Sequence, residues 1–138
     1  EGISVPHGHM AGSVAIAAST IDEALALVDK AKNEKVDLIK LMITGGVLDA
    51  KEKGVPGELK MAPEMVKAVC DKAHSLGYKV AAHVESPEGV KVALENGVDS
   101  IEHGAKLDQE MINLFKVRRF HQHFRLRCLI QVFPMFQK

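Results

Sequence analysis

Three basic side chains sit inside or at the end of short apolar runs, and their types limit the chemistry open to them. Lys40 interrupts Asp37-Leu-Ile-Lys-Leu-Met-Ile-Thr-Gly-Gly46, His83 lies in Lys79-Val-Ala-Ala-His-Val84, and His103 ends Ser100-Ile-Glu-His103. Alternation places Lys40 with Leu38 and Met42, so its amine points the same way as apolar neighbours and must be satisfied. An ion pair with Glu102 or Asp37 would do so, and a Schiff base with a carbonyl substrate is an enzymatic use of the same group. By the same alternation His83 shares a face with Ala81 and His103 with Ile101, so Lys40, His83 and His103 converge if their segments are neighbouring strands. Adjacent strands lie about 4.8 Å apart. Two imidazoles at that separation reach one zinc-sized cation, with Zn–N near 2.0–2.1 Å.

Two further histidine pairs have ligand-like spacing. His7-Gly8-His9 follows Pro6 in a Gly-, Ala- and His-rich stretch, residues 1–19, that reads as a short strand or loop leading into a helix. His121-Gln122-His123 falls in a tail without periodicity, where the spacing is read as chance.

The elements that must position these groups are legible from caps and periodicity. Thr20-x-x-Glu23 is a capping box ahead of the stripe Ala24, Leu25, Val28, Ala31. A strand over 37–43 follows, then a glycine-rich loop over 44–61, a length more often functional than incidental. Pro63 suits the first turn of a second helix with the stripe Val66, Val69, Cys70, Ala73, Leu76 and a stop at Gly77. A strand over 79–84 comes next, then a helix opened by Ser86-Pro87 and closed by Gly97. Strand 100–103 and a helix capped by Asp108 complete the order.

Asn33-Glu-Lys-Val-Asp-Leu-Ile-Lys40, Leu76-Gly-Tyr-Lys-Val-Ala-Ala-His83 and Asn96-Gly-Val-Asp-Ser-Ile-Glu-His103 repeat one frame: helix end, tight turn, then a strand with a basic residue near its C-terminal end. Repeated βα units predict an α/β fold with a parallel sheet and right-handed crossovers, either doubly wound or a (β/α)₈ barrel. A barrel takes about 250 residues. A chain of 138 residues supplies roughly half of one.

Composition divides the chain in two. Residues 1–116 hold 13 Lys, no Arg and 18 acidic residues, a net of −5, whereas residues 117–138 hold four Arg, one Lys and no acid, a net of +5. The tail also carries Phe120, Phe124, Phe133 and Phe136. It reads either as a basic arm for nucleic acid or, in preference, as an unpatterned stretch such as out-of-frame translation. Nucleic acid is therefore not an expected partner. Two cysteines without paired spacing argue against a disulfide framework, and Cys70 lies on an apolar helix face. No run of about 18 apolar residues is present, so a cytoplasmic chain without membrane contact is expected.

Asp37-Leu-Ile-Lys-Leu-Met-Ile-Thr-Gly-Gly46, Val80-Ala-Ala-His-Val84 and Gly97-Val-Asp-Ser-Ile-Glu-His-Gly104, in this order and spacing, resemble the amidohydrolase superfamily, in its branch of imidazolonepropionase-like hydrolases and Xaa-Pro dipeptidases. The resemblance covers residues 1–116, roughly the third to sixth βα units. It implies a distorted barrel with one or two divalent metals, commonly zinc. Lys40 matches the lysine that is carboxylated and bridges the metals; His83 and His103 match histidine ligands. Desolvation lowers a buried lysine's pKa, so that a neutral amine captures carbon dioxide, and metals then activate a water that attacks an amide carbonyl. The substrates implied are small amides, cyclic amides or dipeptides. An aldolase-type barrel using Lys40 as a Schiff base is the alternative.

The family's first-strand His-x-His and eighth-strand aspartate have no counterpart in residues 1–116. His7-Gly8-His9 resembles instead the family's loop after the third strand, which faces the active site, and this implies a substrate-binding role for His7 or His9. The expectation is a truncated chain with little or no activity of its own. A half-barrel also exposes strand edges, which predicts a homo-oligomer.

Overall fold

Each helix begins where a side chain or a proline disposes of unpaired backbone amides. In the computed structural model, which describes residues 2–46, 50 and 57–118, helix α1 (Ile21–Asn33) is capped by Thr20, whose hydroxyl accepts from the Glu23 N–H at 3.2 Å. The Glu23 carboxylate reaches back to the Ser19 N–H at 2.6 Å. Helix α2 (Pro63–Ser75) has proline in its first turn; α3 (Pro87–Glu95) combines that with a Ser86 cap accepting from Gly89 N–H. In α4 (Gln109–Arg118) the Asp108 carboxylate accepts from Met111 N–H at 2.8 Å. Helices α1 and α2 end at left-handed residues, Lys35 and Gly77, and Gly97 turns the chain after α3 in the same way.

Among the described residues five parallel strands form, β1 (Gly2–Ser4), β2 (Ala15–Ala17) and, on the three expected runs, β3 (Leu38–Met42), β4 (Lys79–Val84) and β5 (Ser100–His103), in the order β2-β1-β3-β4-β5. The first nineteen residues thus hold two strands, more than their composition predicted. Strands of three residues show no readable alternation, and Gly, Ala and Ser have little strand propensity. Residues 5–14 connect β1 to β2 without a helix, turning through left-handed His7, Met10 and Gly12.

The choice between a doubly wound sheet and a barrel is decided by the helices. Packing runs α1 on α2, α2 on α3 and α3 on α4, so all four cover one side of the sheet. With β1, β3, β4 and β5 adjacent in chain order, this is the single winding of a (β/α)₈ barrel, in about half its extent. The core lies under the helices: Ile39, Leu41, Ile43, Val80, Ala82, Val84 and Ile101 from the strands meet Val28, Val66, Val69, Cys70, Ala73, Val90 and Leu94 from the helices. In α1, Ala24 and Val28 are buried as the stripe predicts, but Leu27 rather than Leu25 packs beside them on the core. Among the described residues no helix is long and apolar enough to cross a membrane. The tail with its arginines from 119 on, His121-Gln122-His123 and most of the 44–61 loop lie outside the described residues.

The N-terminal ends of the strands are tied by one carboxylate. Asp99 accepts from Val80 N–H at 2.9 Å, from Lys79 at 3.0 Å and bonds His74 Nε2 at 2.7 Å, while its own N–H donates to Val80 O. Burial by itself would raise this carboxyl's pKa. The hydrogen bonds from His74, Val80 and Lys79 outweigh it and hold the pKa below the usual range. A depressed folded-state pKa contributes stability above the unfolded value, about 3.9, and loses it as pH falls through the folded value. Asp99→Asn is therefore expected to lower unfolding stability by about 2 kcal/mol at neutral pH, with the deficit shrinking below about pH 4. Urea melts of both proteins at several pH values check this; a deficit that stays constant into acid would contradict it.

Candidate functional site

Sheet register determines which side chains meet at the C-terminal ends of the strands. Met42 pairs with His83 and His83 with Glu102, while Lys40 pairs with Ala81. Paired residues of parallel strands share a face, so Lys40, Met42, Ala81, His83 and Glu102 all point away from the helices. The same register gives Ile101 and His103 to the opposite face, since they pair with Ala82 and Val84. Alternation through Ile101 therefore does not bring His103 to Lys40, contrary to the expectation from sequence. His103 reaches His83 by another route: its φ is +72°, and Gly104 follows at +80°, so the chain leaves the pleat at the last residue of β5. The rings of His83 and His103 meet edge to face with centroids 4.8 Å apart.

Lys40 has found a carboxylate. Of the two proposed partners Glu102 takes the amine, an ion pair in which the Lys40 side chain is 19% exposed and that of Glu102 53%. Being half open to water, the pair orients Lys40 more than it stabilises the fold.

His9 joins the group from the β1–β2 connection. Its ring stacks on His83, centroids 4.0 Å apart and planes within 8°. Two glycines make that placement possible. A Cβ on Gly8 would lie 2.5 Å from Ser4 Oγ, whose hydroxyl donates to His9 O, and a Cβ on Gly46 would lie 2.6 Å from the His9 ring. His7, by contrast, is exposed, with a left-handed φ of +59°, and takes no part in the ring cluster.

His83 is the buried centre, its side chain 5% exposed. Burial first, then the neighbouring His9, His103 and Lys40, push its pKa down from 6.5 to about 4, against a hydrogen bond with the Gly45 backbone that acts the other way. At neutral pH the ring is uncharged and keeps one nitrogen lone pair. Nε2 is buried with no hydrogen-bond partner among the described residues, and so is Glu85 Oε2. Glu85, just past β4, brings Oε1 to 4.0 Å from His83 Nε2. Donor atoms of His83, Glu85 and His103 all lie within 4.8 Å of one another. Imidazole nitrogens and a carboxylate, with His83 Nε2 and Glu85 Oε2 buried and unsatisfied, fit a divalent cation of the zinc type.

Glu85 was not among the residues singled out by sequence. The signal available was its spacing: His83-x-Glu85 puts both on one face at the end of the strand.

No family profile matches the chain. Over 96 residues, 70% of the chain, it is 29% identical to ochratoxinase of Aspergillus niger, spanning 19% of that protein. A crystal structure of a candidate prolidase of Bifidobacterium longum matches 83% of the chain at 42% identity with a TM-score of 0.68. An Xaa-Pro dipeptidase with methionine bound in its active site matches 86% at 31% identity with a TM-score of 0.74. The chain covers 27% and 32% of those two structures.

Gly46→Ala should displace the His9 ring while the fold persists, because the far end of one side chain can give way. The measurement is NMR of the histidine rings: His83 resonances shift as the stacked ring current is lost, with the circular dichroism unchanged. Unmoved His83 signals would contradict the assigned role of Gly46.

Proposed function

We propose that the chain is part of an amidohydrolase-superfamily barrel and, with it, of a metal-dependent hydrolase of C–N bonds in small amides, cyclic amides or dipeptides. The observation that carries the reading is the donor cluster around buried, neutral His83 at the C-terminal ends of the strands, the end at which barrels of this kind do chemistry. The names of the similar proteins, prolidase, Xaa-Pro dipeptidase and ochratoxinase, support the bond type.

In this reading His83 and His103 hold the cation, zinc in the first instance, and Lys40 borders the same site as the residue that carboxylation would turn into a bridging ligand. When bound, the metal polarises an amide carbonyl and lowers the pKa of a water. The chain's own residues do the rest. Burial keeps His83 uncharged, so it does not repel a cation, and the Gly45 backbone fixes its ring. Glu102 anchors Lys40 on the inner face, and His9 covers one side of the His83 ring, keeping water from it. His9 and His7 lie on the connection that would border a substrate, with His9 the nearer.

In the gene product that carries these residues, loaded with zinc, we expect hydrolysis of Xaa-Pro dipeptides or other small amides. His83→Ala or His103→Ala should lower kcat/KM by about 100-fold or more, roughly 3 kcal/mol of transition-state stabilisation. Hydrolysis untouched by both substitutions would sink the reading. Self-association through the outer edges of β2 and β5 belongs to the same proposal, and light scattering that finds only monomer at high concentration would count against it.

A further inference from the structure

We infer that Glu85 is a metal donor, and that His83, Glu85 and His103 form a three-donor site for a single zinc-type cation in which Lys40 is not required. The inference rests on the metal reading above and adds to it a ligand and a stoichiometry.

Three observations point to Glu85. Its Oε2 and the Nε2 of His83 are both buried without hydrogen-bond partners among the described residues. Leaving such atoms unmet is costly, and native folds seldom do so without cause. A cation held by the His83 ring and the Glu85 carboxylate, whose Oε1 is 4.0 Å from Nε2, would give the ring nitrogen its partner and compensate the buried carboxylate. Hydrogen bonding of the two residues converges on a single peptide: Glu85 N–H donates to Thr44 Oγ1 at 3.0 Å, the Thr44 hydroxyl donates to Gly45 O at 3.0 Å, and the His83 ring bonds the Gly45 backbone. Anchoring of a histidine's second nitrogen by the backbone is the usual support of a ligand imidazole. Finally, Gly57 packs directly against the Glu85 backbone, which helps to fix the segment that carries the carboxylate. A Cβ on Gly57, which has φ +93°, would lie 2.5 Å from Glu85 O.

Lys40 is occupied elsewhere, in its pair with Glu102. The set left is two imidazoles and a carboxylate, which suits zinc and leaves a position for water or substrate. It suits magnesium or calcium poorly, since those ions take oxygen ligands. Donor atoms around a tetrahedral zinc stand roughly 3.4 Å apart. The site must therefore contract from its present 4.8 Å limit, and exposed His103, at the end of β5, is the member with room to move.

Cobalt(II) titration of the chain tests this through the visible d–d bands of a four-coordinate ion, with zinc displacing it. We expect one cobalt per chain. Glu85→Gln, which keeps the shape and removes the charged donor, should weaken binding about 10-fold or more, and Glu85→Asp should fall between the two. His74→Gln, at the other end of the sheet, should bind as the unsubstituted chain does, which separates this site from adventitious histidine binding. Circular dichroism establishes that each variant is folded; if Glu85→Gln is not, the Glu85→Asp affinity decides. Cobalt affinity that is indifferent to Glu85, or lost in Lys40→Met but kept in Glu85→Gln, overturns the inference and leaves the metal reading standing. No cobalt or zinc binding by the unsubstituted chain overturns both.

Discussion

Everything at the candidate site depends on the register of β4 between β3 and β5. Because the side-chain period of a strand is two, a slip of one residue would send His83 into the helix-covered core and bring Val84 to the inner face. The pairing is secured at both ends. Asp99 and Val80 exchange backbone and side-chain bonds at the start of the strands, while Ile43 N–H to His83 O and Gly104 N–H to Val84 O hold the finish. Between them a continuous apolar face of Ile39, Leu41, Val80, Ala82 and Ile101 would have to be exposed for any other alignment to form.

The two ends of the sheet are treated differently. At the N-terminal end every group of the Asp99 cluster is paired, with His74, Lys79 and Val80 N–H all directed at one carboxylate. At the C-terminal end Nε2 of His83 and Oε2 of Glu85 are buried and unpaired. Satisfied polar groups at one end and unsatisfied ones at the other is the distribution expected of a barrel whose lower face maintains the fold and whose upper face meets ligands.

Most of the architecture was legible in the residues. The capping box at Thr20, the prolines at 63 and 87, the Ser86 and Asp108 caps and the left-handed Gly77 and Gly97 all stand where the sequence predicts, because each is a local hydrogen-bonding or conformational requirement met within a few residues. The βα repeat likewise carries over into adjacent parallel strands. Three-residue strands such as β1 and β2 were not separable from loop, since pairing with a neighbour is what makes them strands. The site was legible in part. Lys40, His83 and His103 could be picked out as polar groups on apolar strands, but Glu85 follows a strand in what reads as an ordinary helix start.

What the sequence by itself determined is therefore the set of elements, their order, and the presence of basic side chains near the ends of three strands; these follow from periodicity and short-range bonding. Tertiary structure alone decided how those side chains meet. The partner of Lys40 depends on a strand more than sixty residues away. The approach of His103 depends on a left-handed φ that alternation does not anticipate, and the stacking of His9 on His83 depends on two missing Cβ atoms, at Gly8 and Gly46. Each is a contact between segments distant in the chain, set by packing geometry that no local pattern encodes.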